Sequence, residues 1–507
     1  MKKIEGGISM KRFLSLVIAL LLVFSVGSFA ALAEEEPIEI NLIMRNIGNA
    51  SSNDNDIFKA IEEATGYKIN IELKPGSDYS TTCQMVIAGG DYPDAMEWHC
   101  SIYPNDLQML ADDGLLLPLD DLLEEYGQNI LAHRASENFF RSSSDGKIYG
   151  IPCRVSEYGY NNYAAIRNDW LDKLELETPT NSEELFNVLT AFKEHAAELV
   201  GEDVEFWPMG ACQDVLGISD SIFDLFASEN SFIADWNEID GELVYYINMP
   251  GYKNALATIR EFYQAGLIDP EYPLMTRDDM LEKWYNNAYG MWLFYLDNSD
   301  PVLGSWASQY YGYYPEAEIG AVIPFEDENG VAQMRGSVEK QMLVIFKDAK
   351  HPEAVVDLMN YLISDEGVDL VQLGIKGVDW DEDGEGNVTI YEKDAARMEE
   401  MGYKNYYLYM MQGYLTPARC YDESVIAIGE SRLDMVKYQI VLDATPTYLA
   451  NGTTLTDIAK TYATRLIVEK DIDFDAVFDE YIEKWNTSGG AQWTEEYNEL
   501  YKAKQAA

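Results

Sequence analysis

The stretch "AGGDYPDAMEWHC", Ala88–Cys100, decides the fold. Gly89 and Gly90 are placed to end a helix, because glycine takes positive φ without strain. Pro93 holds Tyr92 extended and lacks a donor, so it stands before a strand rather than inside one. The residues from Asp94 to Trp98 then read as a short, buried, parallel strand. Asp94, Met96 and Trp98 share one face, since strand side chains alternate. An open α/β sheet takes its ligand at the C-terminal ends of its strands. Trp98 is therefore expected at the rim of a binding cleft.

Upstream, "IEINLIM" (Ile38–Met44) reads as a strand and "DNDIFKAIEEATG" as a helix. Asp54 or Asp56 is expected near the N-cap of that helix, and Gly66 at its end. "KINIEL" is a strand and "DYSTTCQMVIAGG" a helix. This β-α-β-α-β order predicts a parallel sheet with crossover helices. In "LLLPLDDLLEEYG", Asp120 or Asp121 is expected to cap a short helix. "DGKIYGIPC" reads as a turn and a return strand.

A second α/β pattern starts near Tyr163. "YAAIRNDWLDKLEL" gives a strand and a helix, "TPTNSEELFNVLTAFKEHAAEL" a capped amphipathic helix, and "AYGMWLFYL" and "EIGAVIPF" strands. The C-terminal third is helical in pattern. Trp170, Trp485 and Trp493 fall in helical patterns and read as packing.

The 507 residues carry 36 basic and 88 acidic side chains, a formal net charge of −52. That excess repels nucleic acid and anionic membranes, and favours neutral ligands unless basic residues line a pocket. The N-terminal segment reads as an export signal. Translation is expected to start at Met10. Lys11 and Arg12 form its charged region, Phe13–Phe24 its apolar region, and Ala31-Leu32-Ala33 its cleavage site. No lipidation cysteine follows. Five cysteines (Cys83, Cys100, Cys153, Cys212, Cys420) allow at most two disulfides.

The quoted stretches, with "NNAYGM", "KHPEAVVDLMNYLISDEG", "GIKGVDW" and "KWNTSGGAQWTEEYNELY", occur in an order that resembles extracellular solute-binding proteins of the long, lipoprotein-like branch. These deliver ligands, mostly sugars, to ABC importers. The resemblance implies a two-lobed, periplasmic-binding-protein-like α/β fold with a cleft between lobes joined by hinge crossings. It implies lobe one from 37–160 and 332–394, and lobe two from 161–331 and 395–507. The implied partners are an oligosaccharide or other small solute and the permease subunits of an importer. A monomer is expected, exported to the cell surface or periplasm, without catalytic residues or cofactor. An exported carbohydrate-active enzyme is the alternative class, and a peptide the alternative ligand. Two departures stand out. The lipobox cysteine of many members is missing. The stretch "EHAAELVGEDVEFWPMG" also lacks the alternating oxygen ligands of the calcium loop found in many long members.

Several residues are candidates for the ligand site. Trp98, Trp284, Tyr285, Trp292 and Trp380 offer aromatic faces to sugar rings. Arg45 and Asn46 follow the first strand, Arg154 follows "YGIPC", and Asp297 follows "WLFYL"; each can hold hydroxyls. The alternative for every tryptophan is an ordinary place in the core. The four histidines (His99, His133, His195, His351) lack metal-ligand spacing, so no transition-metal site is expected. "DWDEDGEGN" matches an EF-hand at Asp379, Asp381, Asp383 and Gly384 but has Ile390 at the twelfth position, which favours an acidic turn.

Overall fold

The computed structural model describes residues 37–46, 54–75, 79–99, 106–133, 139–142, 144–153, 162–296, 299, 301, 306–336, 341–391, 397, 422–438, 440, 442 and 445–506. The export signal, Cys100, Cys420, Arg154 and Asp297 lie outside the described residues, as does the side chain of Asn46.

The chain opens with β1 (Glu39–Asn46), α1 (Asp56–Thr65), β2 (Lys68–Pro75), α2 (Tyr79–Gly89) and β3 (Ala95–His99). Glycines punctuate this run as the sequence anticipates. Gly66 closes α1 at φ 73°, and Gly90 follows α2 at φ 69°. The N-cap of α1 is Asn55, between the two expected aspartates; its Oδ1 accepts from the Phe58 amide at 2.8 Å. Near residue 120 the cap again falls one residue away. Leu119 occupies it without a side-chain bond, and Asp120 and Asp121 sit in the first turn. There Asp120 accepts instead from the amide of Ile148 at 2.9 Å.

β1 lies between β2 and β3, parallel to both. β4 (Phe140–Arg141) and β5 (Ile148–Pro152) follow as an antiparallel pair. The chain then builds a second sheet from β6 (Asn162–Arg167) and β7 (Trp207–Met209). α3 (Asp220–Glu229) and a hairpin of β8 (Trp236–Ile239) and β9 (Glu242–Tyr245) come next. After them come α4 (Arg277–Tyr285), β10 (Tyr289–Tyr295), α5 (Ala307–Tyr313) and β11 (Ile319–Val322). The order in this sheet is β11-β6-β10-β7. β12 (Met334–Gly336) leads out of it, and β13 (Gln341–Ile345) enters the first sheet between β3 and β5, antiparallel to both. The first sheet thus has the order β2-β1-β3-β13-β5-β4. It is mixed, where a parallel sheet was expected, because its second half is made by returning chain rather than by β-α-β crossovers.

β14 (Trp380–Glu382) and β15 (Val388–Ile390) form a small hairpin. β16 (Val436–Tyr438) pairs in parallel with β12. Three helices, α6 (Pro446–Val468), α7 (Phe474–Trp485) and α8 (Ala491–Ala506), complete the chain.

The two sheets have separate cores. Around the first are mainly aliphatic side chains, from Ile40 to Ile151 and from Leu343 to Val371. The largest core, beside the second sheet, is rich in aromatic rings and takes in α6, α7 and α8. There Trp236 stacks on Tyr497, with centroids 4.4 Å apart, and Tyr245 lies parallel to Trp485 at 5.5 Å. Trp170, Trp485 and Trp493 are buried in this core, as their helical spacing suggested. The two large sheets, each with its own core, make a two-lobed α/β arrangement.

Candidate functional site

Two strand-end clusters bring buried carboxylates and arginines together, around Glu97 and around Asp224. The first lies where β1 and β3 end. Glu97 sits inside an apolar strand and is fully buried. Its Oε2 accepts from the Arg45 amide at 3.1 Å, and its Oε1 lies 3.4 Å from Arg45 Nε. The Arg45 side chain is 14% exposed, and its Nε makes no hydrogen bond to a described residue. Glu97 therefore sets a charge partner beside the guanidinium, by proximity rather than by a hydrogen bond to Nε. Tyr79 donates to the Glu97 carbonyl at 2.7 Å, and burial raises its phenol well above the ordinary range. Gln341, at the start of β13, is buried beside the end of β3.

The second cluster lies where β7 runs into α3. Arg335 of β12 reaches two carboxylates: its Nη2 is 3.2 Å from Asp220 Oδ2, and its Nε is 3.3 Å from Asp224 Oδ2. Asn162, the first residue of β6, donates from Nδ2 to Asp220 Oδ2 at 2.8 Å. Arg432 holds the Asn162 carbonyl from the other side at 2.8 Å. Burial pushes the Asp224 carboxyl up to about 7, against the pull of Arg335. Asp214 is raised in the same direction, by burial first and by the charge of Asp220 second. Neutralising one carboxyl avoids the cost of two close, poorly solvated charges.

The expected aromatic platforms lie elsewhere. Trp98 is 2% exposed and packs with Tyr79, Met96, Leu107, Leu110 and Met342, so neither face is open at a rim. The insertion of β13 beside β3 brings Met342 opposite Trp98 and completes that packing. Trp284 stacks on Tyr310 at 4.3 Å and contacts Trp292 at 5.3 Å; both tryptophans are fully buried. Trp380 is buried behind its hairpin, where its indole N–H donates to the Gly374 carbonyl at 3.0 Å and Lys376 lies over its ring. Tyr285 alone of the five is half-buried, on the outer side of α4. The structure thus brings Arg45 to a strand end; Trp98 stands on the neighbouring strand β3 with its ring packed in the core.

The motif "NNAYGM" has a structural task. Asn287 adopts φ 61°, and its Oδ1 accepts from Arg167 Nη1 at 2.6 Å and from the Tyr310 hydroxyl at 2.7 Å. The acidic loop is a turn closed on itself. Asp383 accepts from the amides of Glu385 and Asn387, and Asp379 is clamped by Arg397 at 2.7 Å on each oxygen.

Glu97, Asp214, Asp220, Asp224 and Arg335 were not singled out from the sequence. A signal existed for two of them. Glu97 interrupts the apolar run of Ala95, Met96 and Trp98, and Asp224 falls in "SIFDLFAS", whose residues are all buried on α3.

The profile of the bacterial extracellular solute-binding proteins matches residues 49–369, well over half of the chain. The chain belongs to that family. Among curated relatives, the fructooligosaccharide ABC transporter substrate-binding protein FusA of Streptococcus pneumoniae is 25% identical over 54% of this chain and 52% of that protein. The chain thus spans about half the length of that relative. The polygalacturonan/rhamnogalacturonan-binding protein YtcQ of Bacillus subtilis is 23% identical over 88% of this chain and 87% of its own. Among solved structures, S. pneumoniae FusA in complex with kestose superposes with a TM-score of 0.68, at 18% identity, over 92% of this chain and 99% of that one. Membership places the protein outside the cytoplasm, and no described helix is long and apolar enough to cross a membrane.

Proposed function

We propose that this solute-binding protein captures an oligosaccharide between the ends of its two sheets and presents it to the permease of an ABC importer. The observation that carries the reading is the family match over residues 49–369, beside relatives named for binding fructooligosaccharides and pectic polysaccharides. The geometry is consistent with it. The partly exposed guanidinium of Arg45, at a strand end, carries several donors of the kind that suit sugar hydroxyls. Lobe one comprises residues 37–160 and 332–394, and lobe two residues 161–331 and 395–507; the strands of the two large sheets fall on either side of that division, while β12 pairs with β16 across it. The protein binds without hydrolysing, in keeping with its family.

Thermal-shift titration of the mature protein against neutral and acidic oligosaccharides and short peptides tests the reading. A sugar at 100 times its Kd adds about 2.7 kcal/mol of stability. Stabilisation by peptides but by no saccharide would overturn it. Release of shorter sugars on long incubation would show an enzyme instead.

A further inference from the structure

A groove of 710 Å³ runs between α4 and α5 on the outer side of the second sheet. That volume falls within the range of small-molecule sites. Tyr285, Trp306 and Tyr313 supply aromatic surface, and Asp278, Glu282 and Gln309 supply polar groups. None of these three polar side chains is engaged by another described residue. No Lys, Arg or His lines the groove among the described residues. The guanidinium of neighbouring Arg277 lies instead over the Tyr295 ring at 4.7 Å.

The walls are held from beneath. Tyr310 of α5 stacks on Trp284 of α4, and Arg167 donates to Tyr310 at 2.8 Å and to Asn287 at 2.6 Å. The Tyr314 hydroxyl ties the far end by donating to the Tyr285 carbonyl at 3.3 Å. The near end abuts β10, where the Trp306 ring meets Tyr295 at 5.2 Å. Tyr295 pairs in register with Asn162, the residue fastened to Asp220. The groove therefore starts beside the second strand-end cluster and leads away from it for about 12 Å along α4.

From this geometry we infer that the α4–α5 groove is a subsite for the protruding end of a neutral oligosaccharide, and that uronic-acid sugars are rejected there. This inference rests on the receptor reading and extends it to the charge and length of the ligand. Aromatic rings cover the apolar faces of sugars, while carboxylates and a carboxamide accept and donate to hydroxyls. Two carboxylates without a lining cation repel a uronate. The nearby strand ends do not reverse that balance, since Arg45 is matched by Glu97 and Arg335 is shared by Asp220 and Asp224.

Calorimetry with fructooligosaccharide, cello-, manno- and xylo-oligosaccharide ladders and an oligogalacturonate ladder, each from di- to hexasaccharide, tests this inference. The variant is Glu282→Ala/Tyr313→Ala, which alters two exposed positions. For a neutral series, wild-type affinity is expected to rise about tenfold from the short to the long members, and the variant is expected to lose that rise. Short sugars should bind both proteins alike, with unchanged melting temperatures. An equal rise in both proteins would overturn the subsite and leave the receptor reading standing. A preference for oligogalacturonates, or spermidine binding abolished by the variant, would overturn the neutral assignment. Failure of wild-type protein to bind any saccharide would overturn the receptor reading together with this one.

Discussion

The two strand-end clusters are built from the same residue types with different arithmetic. At the end of β1, one arginine faces one buried carboxylate. At the start of α3, one arginine is divided between Asp220 and Asp224, with Asp214 close by. Among the described groups the first cluster sets one cation beside one carboxylate. The second has more carboxylate than cation, so burial forces a proton onto it near neutrality. Its partners also differ in place. Asn162 begins the second sheet and Arg335 precedes the return to the first, so Asp220 fastens two separate connections at one point.

The largest expected effect breaks the first cluster. Arg45→Met removes the cation beside the buried Glu97, and should cost about 3–5 kcal/mol in chemical denaturation. Adding Glu97→Leu should restore most of that loss; if the double variant is as unstable as the single one, the two residues are not a pair. At the second cluster, Arg335→Met should cost less, about 2–3 kcal/mol, because Asp224 can keep its proton. The cost should be larger at about pH 8 than at about pH 5.

Asp224→Asn sharpens the contrast further. The carboxyl is raised to about 7 in the folded protein, whereas an unfolded aspartate titrates near 3.9. The folded state thus holds the extra proton between those values. Its contribution is fully present below the unfolded value and is lost as pH rises towards 7. Melting curves from about pH 4 to 8 should show wild type losing roughly 2 kcal/mol relative to the variant, part of the proton being shared with Asp214. Parallel curves would remove Asp224 as the titrating group. The smallest effect lies away from both clusters. Gly90→Ala meets no neighbouring atom but must take φ 69°, and should cost about 1 kcal/mol by urea titration with no change in ligand affinity.

These contrasts also mark where sequence reading succeeds. Gly66, Gly90 and Pro93 act through their own backbone, so the opening strands and helices were legible from local chemistry. Ile38–Met44 and Asp94–Trp98 were expected in one sheet, and β1 and β3 are neighbours. The antiparallel entry of β13 joins residues 341–345 to residues 95–99, a contact that local pattern cannot announce. That entry buries Trp98. The other misplaced tryptophans share a cause: an indole suits a core as well as a sugar, and the second sheet uses aromatic rings as filling. Arg45 was placed at a strand end by counting residues, but its partner Glu97 lies 52 positions away and emerges only once the strands are paired.

The burial of the aromatic residues gives the protein a selective optical report. Eight of the 10 tryptophans are buried, leaving Trp207 and Trp306 partly accessible. Trp207 stands at the opposite end of β10 from the strand-end clusters, beside Tyr289. Collisional quenching of indole emission by iodide should therefore register chiefly these two rings. A saccharide lying along α4 and α5 covers Trp306 and halves the quenchable signal, whereas one held wholly between the strand ends leaves both rings open to the quencher.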